Sequence, residues 1–182
     1  LKDIAKQYSV VFVGPVRNCA PFLKDVLSNI ERIGSLFKSY SCVFVESDSI
    51  DNSVDLLKDF AESHENVHVL SLGNLEDRVK SRTCRIGIAR NTAIDYCEKN
   101  GILDSHDFYI QMCVDDVNAQ EIDLDGILSC FKYDLNVWDG MTANQAQYYY
   151  DIWTIRHPEW VPFDCWHEVY NRPCLLYTSD AA

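Results

Sequence analysis

Short apolar runs that alternate with helical patterns are the feature of this sequence that most constrains its fold. Four runs rich in β-branched and aromatic residues occupy positions 9–14, 42–46, 67–72 and 108–114. Such runs are typical of strands that are covered on both faces. Apolar residues recur at helical spacing in the segments 22–37, 54–61 and 86–97. This alternation predicts an α/β fold: a mostly parallel, Rossmann-like sheet flanked by helices, with right-handed crossovers.

The length and composition indicate one domain, which we expect to span residues 1–173. The chain has 182 residues, of which 47% are hydrophobic, enough for a sizeable core. The last residues, CLLYTSDAA at 174–182, look like a translated sequencing adapter, which would make the domain a fragment truncated at its C-terminus. A genuine flexible tail is the alternative. The chain starts at Leu1 without Met, so we expect membrane association only through missing segments.

The charge balance argues against a nucleic-acid partner. Sixteen Lys and Arg face 28 Asp and Glu, a formal net charge of −12, so a broad phosphate-binding face is not expected. The longest apolar stretches are far shorter than the ~20 residues that span a bilayer. The cysteines outside the tail form no CxxC pair, which favours a reduced protein; a disulfide pair in an oxidising lumen is the alternative.

Polar residues follow three of the four predicted strands at the point where each strand ends. Ligands bind beyond the carboxyl ends of parallel strands, so we expect these side chains to converge on one edge. Glu46 or Asp48 could accept a hydrogen bond from a nucleotide base or a ribose hydroxyl, whereas Asp51 or Ser53 is expected to cap the next helix. The edge residues are Pro15, Val16, Arg17 and Asn18; Glu46, Ser47, Asp48 and Ser49; and Asp115, Asp116 and Asn118.

One segment concentrates positive charge in this acidic chain. Residues 78–90 hold five of the sixteen basic residues and no acidic one. Arg82 and Arg85 are three residues apart and share a helix face, and Arg90 with Asn91 follows two turns later. Guanidinium groups at a helix start suit a phosphate or diphosphate. The segment therefore predicts a diphosphate site, with a solvated helix face that forms ion pairs as the alternative.

Asp115 and Asp116 place two carboxylates where the last predicted strand ends. Their mutual repulsion is costly unless a cation neutralises them, and Mn²⁺ or Mg²⁺ prefers oxygen ligands. The pair predicts a divalent ion that bridges the protein to phosphate oxygens. A polar turn in which one carboxylate caps the next segment is the alternative.

Residues 137–170 are rich in aromatic and acidic side chains. Aromatic faces pack on sugar rings and carboxylates accept from sugar hydroxyls, so this region predicts a sugar-binding surface. Ordinary core packing is the alternative for most of the aromatics, and the histidines lack the spacing of metal ligands. The aromatics are Trp138, Tyr148, Tyr149, Tyr150, Trp153, Trp160 and Trp166, interleaved with Asp139, Asp151 and Asp164.

Five sequence blocks occur in an order that resembles a known family. They are VVFVGPVRNCAPFL, VFVESDSIDNSVDLL, RTCRIGIARNTAID, FYIQMCVDDVN and WDGMTANQAQYYYDIW, and they cover about residues 8–166. In this order they are similar to the blocks of GT-A nucleotide-sugar glycosyltransferases. The variant they resemble is the capsule-type α-1,3-mannosyltransferases of fungi and their bacterial and viral relatives.

The resemblance implies a role for each block. Pro15, Arg17 and Asn18 would line the nucleotide, as would Glu46 and Asp48; Arg82, Arg85, Arg90 and Asn91 would lie near the diphosphate or support that wall. The family's Asp-x-Asp metal motif falls on Cys113, Val114 and Asp115, followed by Asp116. The first carboxylate of the motif is thus a cysteine, and a thiol is a softer ligand than Mn²⁺ or Mg²⁺ prefers.

The activity that the resemblance implies is transfer of a hexose, mannose being one candidate, from a nucleotide-diphosphate sugar to a hydroxyl of a glycan or glycolipid. We expect the acceptor at Trp138, Asp139, Tyr150, Trp153 and Trp166. An inverting reaction needs a general base, for which Asp151 ranks ahead of Asp164; a retaining reaction needs none. We favour the cytoplasm of a bacterial or viral system over a Golgi lumen.

Two other functions stay open at this point. An inactive relative that binds carbohydrate or a nucleotide sugar is suggested by Cys113. The other is a sugar nucleotidylyltransferase, although such enzymes normally carry a Gly-rich signature after the first strand and GPVRNCAP is not one. An NAD-binding oxidoreductase is disfavoured, because the GxGxxG that it would have at the same turn is absent.

Overall fold

The structure, a computed structural model, describes residues 1–142. Four strands form one sheet in the order β3-β2-β1-β4, and all neighbouring strands are parallel. The strands are β1 (Ser9–Val16), β2 (Ser39–Glu46), β3 (Val67–Ser71) and β4 (Phe108–Gln111). The helices are α1 (Lys2–Ala5), α2 (Ala20–Gly34), α3 (Ser53–Glu62), α4 (Leu75–Arg78), α5 (Arg82–Lys99) and α6 (Leu124–Ser129). The predicted α/β fold with a parallel sheet is confirmed.

Helices cover both faces of the sheet. Alternate residues of each strand point to opposite faces and therefore enter different cores. Val10 and Phe12 of β1 face a core shared with α2, α3 and α6. Val11 and Val13, one position along, face a second core shared with α5. The four side chains are at most 1% exposed, and burial of such a side chain stabilises the fold by about 1.5–3 kcal/mol. This is why β1 and β2 read as continuous apolar runs rather than alternating ones.

Helix α5 begins earlier than its apolar residues indicate. The side chain of Ser81 caps it and accepts a hydrogen bond from the amide of Cys84 at 3.4 Å. Arg82 is therefore the first helical residue, and the helix ends just before Gly101, whose φ of +66° is left-handed. Since α5 returns from the end of β3 to the start of β4, its first turn lies at the carboxyl edge of the sheet.

Strand β4 is shorter than the predicted run 108–114. The amide of Met112 still donates to the carbonyl of Val13 at 2.9 Å, but the chain then leaves the ladder. It crosses close to Gly14: a Cβ there would lie 2.5 Å from Val114 Cγ2 and 2.7 Å from the carbonyl oxygen of Met112. The absence of a side chain at Gly14 therefore lets the chain turn at this point and sets the position of the residues after Val114.

Residues Leu1–Trp138 form one compact unit, and a second unit begins at Asp139. All the strands and helices above belong to the first unit. The expectation of a single domain over 1–173 stays a prediction. Within residues 1–142, no helix is long and apolar enough to cross a membrane.

We predict that Gly14→Ala destabilises the protein, because the added methyl group would overlap Val114 and Met112. Overpacking of this kind costs about 1–3 kcal/mol. Chemical denaturation should show the loss as a lower midpoint with an unchanged slope.

Gly87→Ala is the matched control, since a Cβ at Gly87 meets nothing within 4 Å in the interior of α5. It should stabilise the protein by about 0.5–1 kcal/mol. Equal effects of the two substitutions would contradict the close approach at Gly14.

Candidate functional site at the carboxyl edge of the sheet

The strand order places a crevice at the carboxyl ends of β1 and β4. From β1 the chain continues to β2 and β3 on one side, and β4 lies on the other side of β1. Such a switch point is where open α/β sheets bind ligands. The segments that follow these two strands carry Arg17 and Asn18 on one side and Asp115 and Asp116 on the other.

Asn18 joins the loop after β1 to the loop after β2. Its amide donates to Ser49 Oγ at 3.2 Å, and its Oδ1 accepts from the amide of Ile50 at 2.8 Å. Its φ is +50°, a left-handed conformation that asparagine tolerates better than most residues. These bonds make Asn18 a support of the edge, and they leave Ile50 93% exposed at the rim.

Asp48 joins the loop after β2 to the loop after β3. It also has a left-handed φ, +59°; its amide donates to the carbonyl of Gly73 at 3.1 Å, and its Oδ1 accepts from the amide of Glu76 at 2.8 Å. Burial alone would raise the pKa of the carboxyl, but the Glu76 amide, the Ser47 side chain and two arginines together lower it below its usual value. Asp48 is therefore held ionised inside the edge.

The Arg85 side chain is bonded to other groups of the protein. Its Nη1 donates to the carbonyls of Val79 at 2.9 Å and Lys80 at 2.8 Å, and its Nη2 lies 3.3 Å from Glu76 Oε1. Its Nε lies 3.9 Å from Asp48 Oδ2, a buried atom that accepts no hydrogen bond within residues 1–142. The Arg85 side chain is 8% exposed. This predicted diphosphate ligand thus fastens the β3–α5 loop.

Glu46 is likewise used internally. Its Oε1 accepts from the amide of Ser49 at 2.9 Å and its Oε2 from Ser71 Oγ at 2.7 Å, and the residue is 3% exposed. Pro15 is half-buried within β1, paired with Val45. The nucleotide contacts predicted for these residues stay predictions, with Glu46 placed as a bridge between loops.

The acidic pair occupies the other side of the crevice. Asp115 caps the 3₁₀ turn Asp116–Asn118, and its Oδ1 accepts from the amide of Val117 at 3.3 Å. Burial raises the pKa of Asp115, with the charge of Asp116 acting in the same direction; the Val117 amide and the charge of Arg82 lower it by less. The carboxyl therefore lies in an environment that disfavours its charge, which a bound cation would reverse.

Arg82 lies at the start of α5, on the same edge of the sheet as the acidic pair. It is exposed in the first helical turn, and its charge acts on Asp115. Arg90 is eight residues further along, about 12 Å down the helix axis, and its charge acts on Tyr109 in β4. Asn91 is exposed next to it. Arg90 and Asn91 thus lie two turns beyond Arg82, as their spacing predicts, and their role at a diphosphate stays a prediction.

Arg17 and the start of α2 complete the edge. Arg17 Nη2 contacts Glu76 Oε2 at 2.5 Å, with 38% of the Arg17 side chain exposed. Asp51 accepts from the first amides of two helices, Ala20 of α2 at 3.1 Å and Ser53 of α3 at 3.0 Å. The N-cap position of α3 is Asn52 rather than Asp51 or Ser53, but the Asp51 carboxylate binds the first amide of this helix and that of α2 as well.

The buried thiol of Cys19 lies at the start of α2, beside the carboxyl edge. Burial raises its pKa, and the negative charges of Asp115, Asp51 and Asp116 raise it further. Cys19 follows β1, Asp51 follows β2 and the acidic pair follows β4. Because β1, β2 and β4 are parallel neighbours, the segments that follow them lie at the same edge of the sheet.

The predicted acceptor residues are placed only in part. Trp138 stacks on Phe108, the first residue of β4, with ring centroids 5.9 Å apart. That contact lies at the amino end of the strand, away from the acidic pair, as in the core-packing alternative. Asp139 is exposed. Tyr150, Trp153, Trp166, Asp151 and Asp164 lie outside the described residues.

The fit of a divalent ion depends on how many ligands the protein must supply. Within residues 1–142, no group of three or more His, Cys, Asp or Glu side chains is arranged to hold a metal. Mg²⁺-type sites at phosphates typically use one or two carboxylates, with waters and phosphate oxygens as the other ligands. Asp115 and Asp116 fit that mode, and they do not form a complete protein cage.

Two residues of this edge were not identified from the sequence. Glu76 pairs with Arg17 and Arg85, but nothing in the segment 73–78 indicates it. Asn29, which anchors the loop after the acidic pair, left a signal: it is an amide within the apolar stripe of α2, three residues after Val26 and four before Ile33.

A shallow, open hollow lies at the opposite, amino edge of the sheet. Lys6, Tyr40 and His106 are among the residues that line it. None of the predicted site residues does, so we place the candidate site at the carboxyl edge on the grounds of charge and strand order. No family model matches the sequence, and no curated protein matches it.

We predict that Asp48→Asn lowers stability by about 1 kcal/mol at pH 7, because the charge that faces Arg85 is lost while asparagine keeps the left-handed φ. The pKa of Asp48 is lower in the folded state than in the unfolded state. The carboxylate therefore stabilises the folded protein at pH values above the unfolded-state pKa, which is near 3.9. That contribution is lost as the pH falls through the folded-state pKa.

Urea denaturation from pH 7 down to the acid limit of folding checks this. The gap between the wild type and Asp48→Asn should close as the pH falls, whereas Asp59→Asn, exposed near the end of α3, should show little gap at any pH. A gap for Asp48→Asn that is independent of pH would contradict the assignment.

Proposed function

We propose that this chain is a GT-A-type glycosyltransferase that moves a hexose from a nucleotide-diphosphate sugar to a hydroxyl of a glycan or glycolipid. The observation that carries the proposal is the acidic pair Asp115–Asp116 at the β1–β4 crevice, with the charge of Arg82 acting on Asp115 from the start of α5. Opposite charges at a switch point suit a ligand that is itself a metal-bound anion.

The charges of the pair favour a diphosphate over a neutral ligand. Two carboxylates repel a bare phosphate, whereas a divalent ion held by them attracts it. Mn²⁺ or Mg²⁺ bound at Asp115 and Asp116 would neutralise charge on the diphosphate leaving group. Arg82, at the start of α5, adds a guanidinium fork on the same side.

Some of the remaining edge residues hold the loops in place, and others are proposed to contact the donor. Glu46, Asp48 and Arg85 are buried or internally bonded and hold the loops in place. Arg17 is partly exposed and held by Glu76, so a phosphate that binds Arg17 would compete with that carboxylate. The proposed donor contacts are therefore Arg82 and Arg17, on a frame built by the other residues.

The transfer itself needs few protein groups. The bond between the anomeric carbon and the diphosphate oxygen breaks, the acceptor oxygen bonds to that carbon, and its proton goes to a base or to the leaving phosphate. Asp151, then Asp164, remain our proposed bases for an inverting reaction. The acceptor is proposed to bind at the aromatic residues after Val137.

Cys113 supports a second candidate function, an inactive relative that binds nucleotide sugars without transferring them. Its side chain stands where the resemblance implies the first carboxylate of the metal motif. One carboxylate fewer would weaken the hold on a hard ion.

We predict that nucleotide-diphosphate sugars stabilise the protein against heat only when Mn²⁺ is present. Ligand at 100 times its Kd adds about 2.7 kcal/mol, which a thermal-shift screen of GDP- and UDP-sugars detects. Asp115→Asn combined with Asp116→Asn should remove the shift, and Asp104→Asn, an exposed carboxylate before β4, should retain it. A thermal shift that persists in the double variant would contradict the proposed site.

The same samples separate the enzyme from the inactive relative. The enzyme should release free hexose or transfer it, faster in Cys113→Asp than in the wild type. Mn²⁺-dependent binding with no turnover of any donor by either protein would support the binding function.

We predict that Arg82→Gln weakens Mn²⁺-dependent nucleoside-diphosphate binding about 10- to 100-fold, because a hydrogen bond to a charged group contributes about 1.5–3 kcal/mol. Lys99→Gln, which removes an exposed charge at the far end of the same helix about 25 Å away, should bind within about twofold of the wild type. Calorimetric titration of UDP and GDP measures both. Equal losses in the two variants would indicate a general field effect and contradict a local contact at Arg82.

A further inference from the structure

The loop that carries the acidic pair is fastened to helix α2 through one buried amide. Asn29 lies in α2 and is 3% exposed. Its Nδ2 donates to the carbonyls of Asn118 at 2.9 Å and Gln120 at 2.7 Å, and its Oδ1 accepts from the amide of Ile122 at 3.3 Å. A single side chain thus satisfies three backbone groups of the segment 118–122.

The hydrogen bonds continue from that segment to the acidic pair. Asn118 Nδ2 donates to the carbonyl of Cys113 at 2.8 Å, and its amide donates to the carbonyl of Asp115 at 3.2 Å. The amide of Val117 donates to Asp115 Oδ1 at 3.3 Å. The backbone is therefore held at Asp115 and before it, and the network runs from the interior of α2 to the carboxylate.

The chemistry of the position suits asparagine in particular. Two carbonyl oxygens and one amide converge on it, so the side chain must supply two donors and an acceptor. An aspartate would place an oxygen against the two carbonyls, and an aliphatic residue would leave all three groups unpaired. Arg32, one turn later, donates to Asn29 Oδ1 at 3.1 Å and pairs with Glu121 at 2.8 Å, which steadies the same segment from outside.

We propose that Asn29 is a positioning residue, which holds the segment 113–122 so that Asp115 and Asp116 are already placed when a divalent ion binds. This inference rests on the proposed function, because that function assigns the ion to the acidic pair. Residues that orient metal ligands without touching the metal change metal affinity by about 10- to 100-fold when they are replaced.

The test compares Mn²⁺ binding by Asn29→Leu and by the wild type, with free Mn²⁺ followed by electron paramagnetic resonance. We expect a 10- to 100-fold weaker affinity, together with faster hydrogen exchange of the amides in the segment 115–122. Ile33→Val, a core substitution on the same helix at a residue 2% exposed, controls for simple destabilisation and should bind Mn²⁺ as the wild type does. If Asn29→Leu does not fold, Asn29→Ser gives the same comparison, since it shortens the side chain and leaves room for water.

The possible outcomes separate this inference from the function on which it rests. Equal Mn²⁺ affinity in the wild type and the Asn29 variant, with binding lost in Asp115→Asn plus Asp116→Asn, overturns the positioning role and leaves the proposed function standing. Faster exchange without a change in affinity also overturns it, since Asn29 would then be purely structural. A wild type that binds no Mn²⁺ through the acidic pair overturns the proposed function and the inference together.

Discussion

The close approach of two backbone segments at Gly14 is the constraint on which the candidate site depends. Because residue 14 has no side chain, the chain that leaves β4 can pass beside the end of β1, with Val114 packed against it. Val114 is 1% exposed, so its neighbour Asp115 starts from a fixed, buried point. A larger residue at position 14 would push this segment away from β1, and the acidic pair would leave the crevice with it.

Charged residues at the carboxyl edge have two different roles: some hold the loops, and others are proposed to bind a cation. Glu46, Asp48 and Arg85 bind backbone groups at this edge, and by doing so they hold the loops after β2 and β3. Asp115 differs because its surroundings disfavour its charge. A carboxylate whose charge is stabilised, such as Asp48, suits a frame, whereas a destabilised one adjacent to a second carboxylate suits cation binding. This contrast is the physical basis on which we distinguish supports from proposed ligands.

Much of the frame could be predicted from the sequence, because continuous apolar runs and helical periodicity report directly on burial. Those patterns gave the parallel sheet and the convergence of the strand-end clusters. The arginine segment was predicted less completely: helical spacing places Arg90 two turns beyond Arg82, but it does not show which of these side chains face a ligand. Nor could it show that Arg85 turns inward to the carbonyls of Val79 and Lys80. Partner choice among side chains depends on tertiary packing, and Asn29 was detectable only as an exception to the stripe of α2.

The most direct measurement of the central claim is the anomalous scattering of Mn²⁺ in crystals grown with UDP or GDP. We predict a peak within bonding distance of an oxygen of Asp115 or Asp116, with the diphosphate on its far side and Arg82 beside it. A nucleotide bound elsewhere, or density at the crevice with no manganese next to either carboxylate, would contradict it.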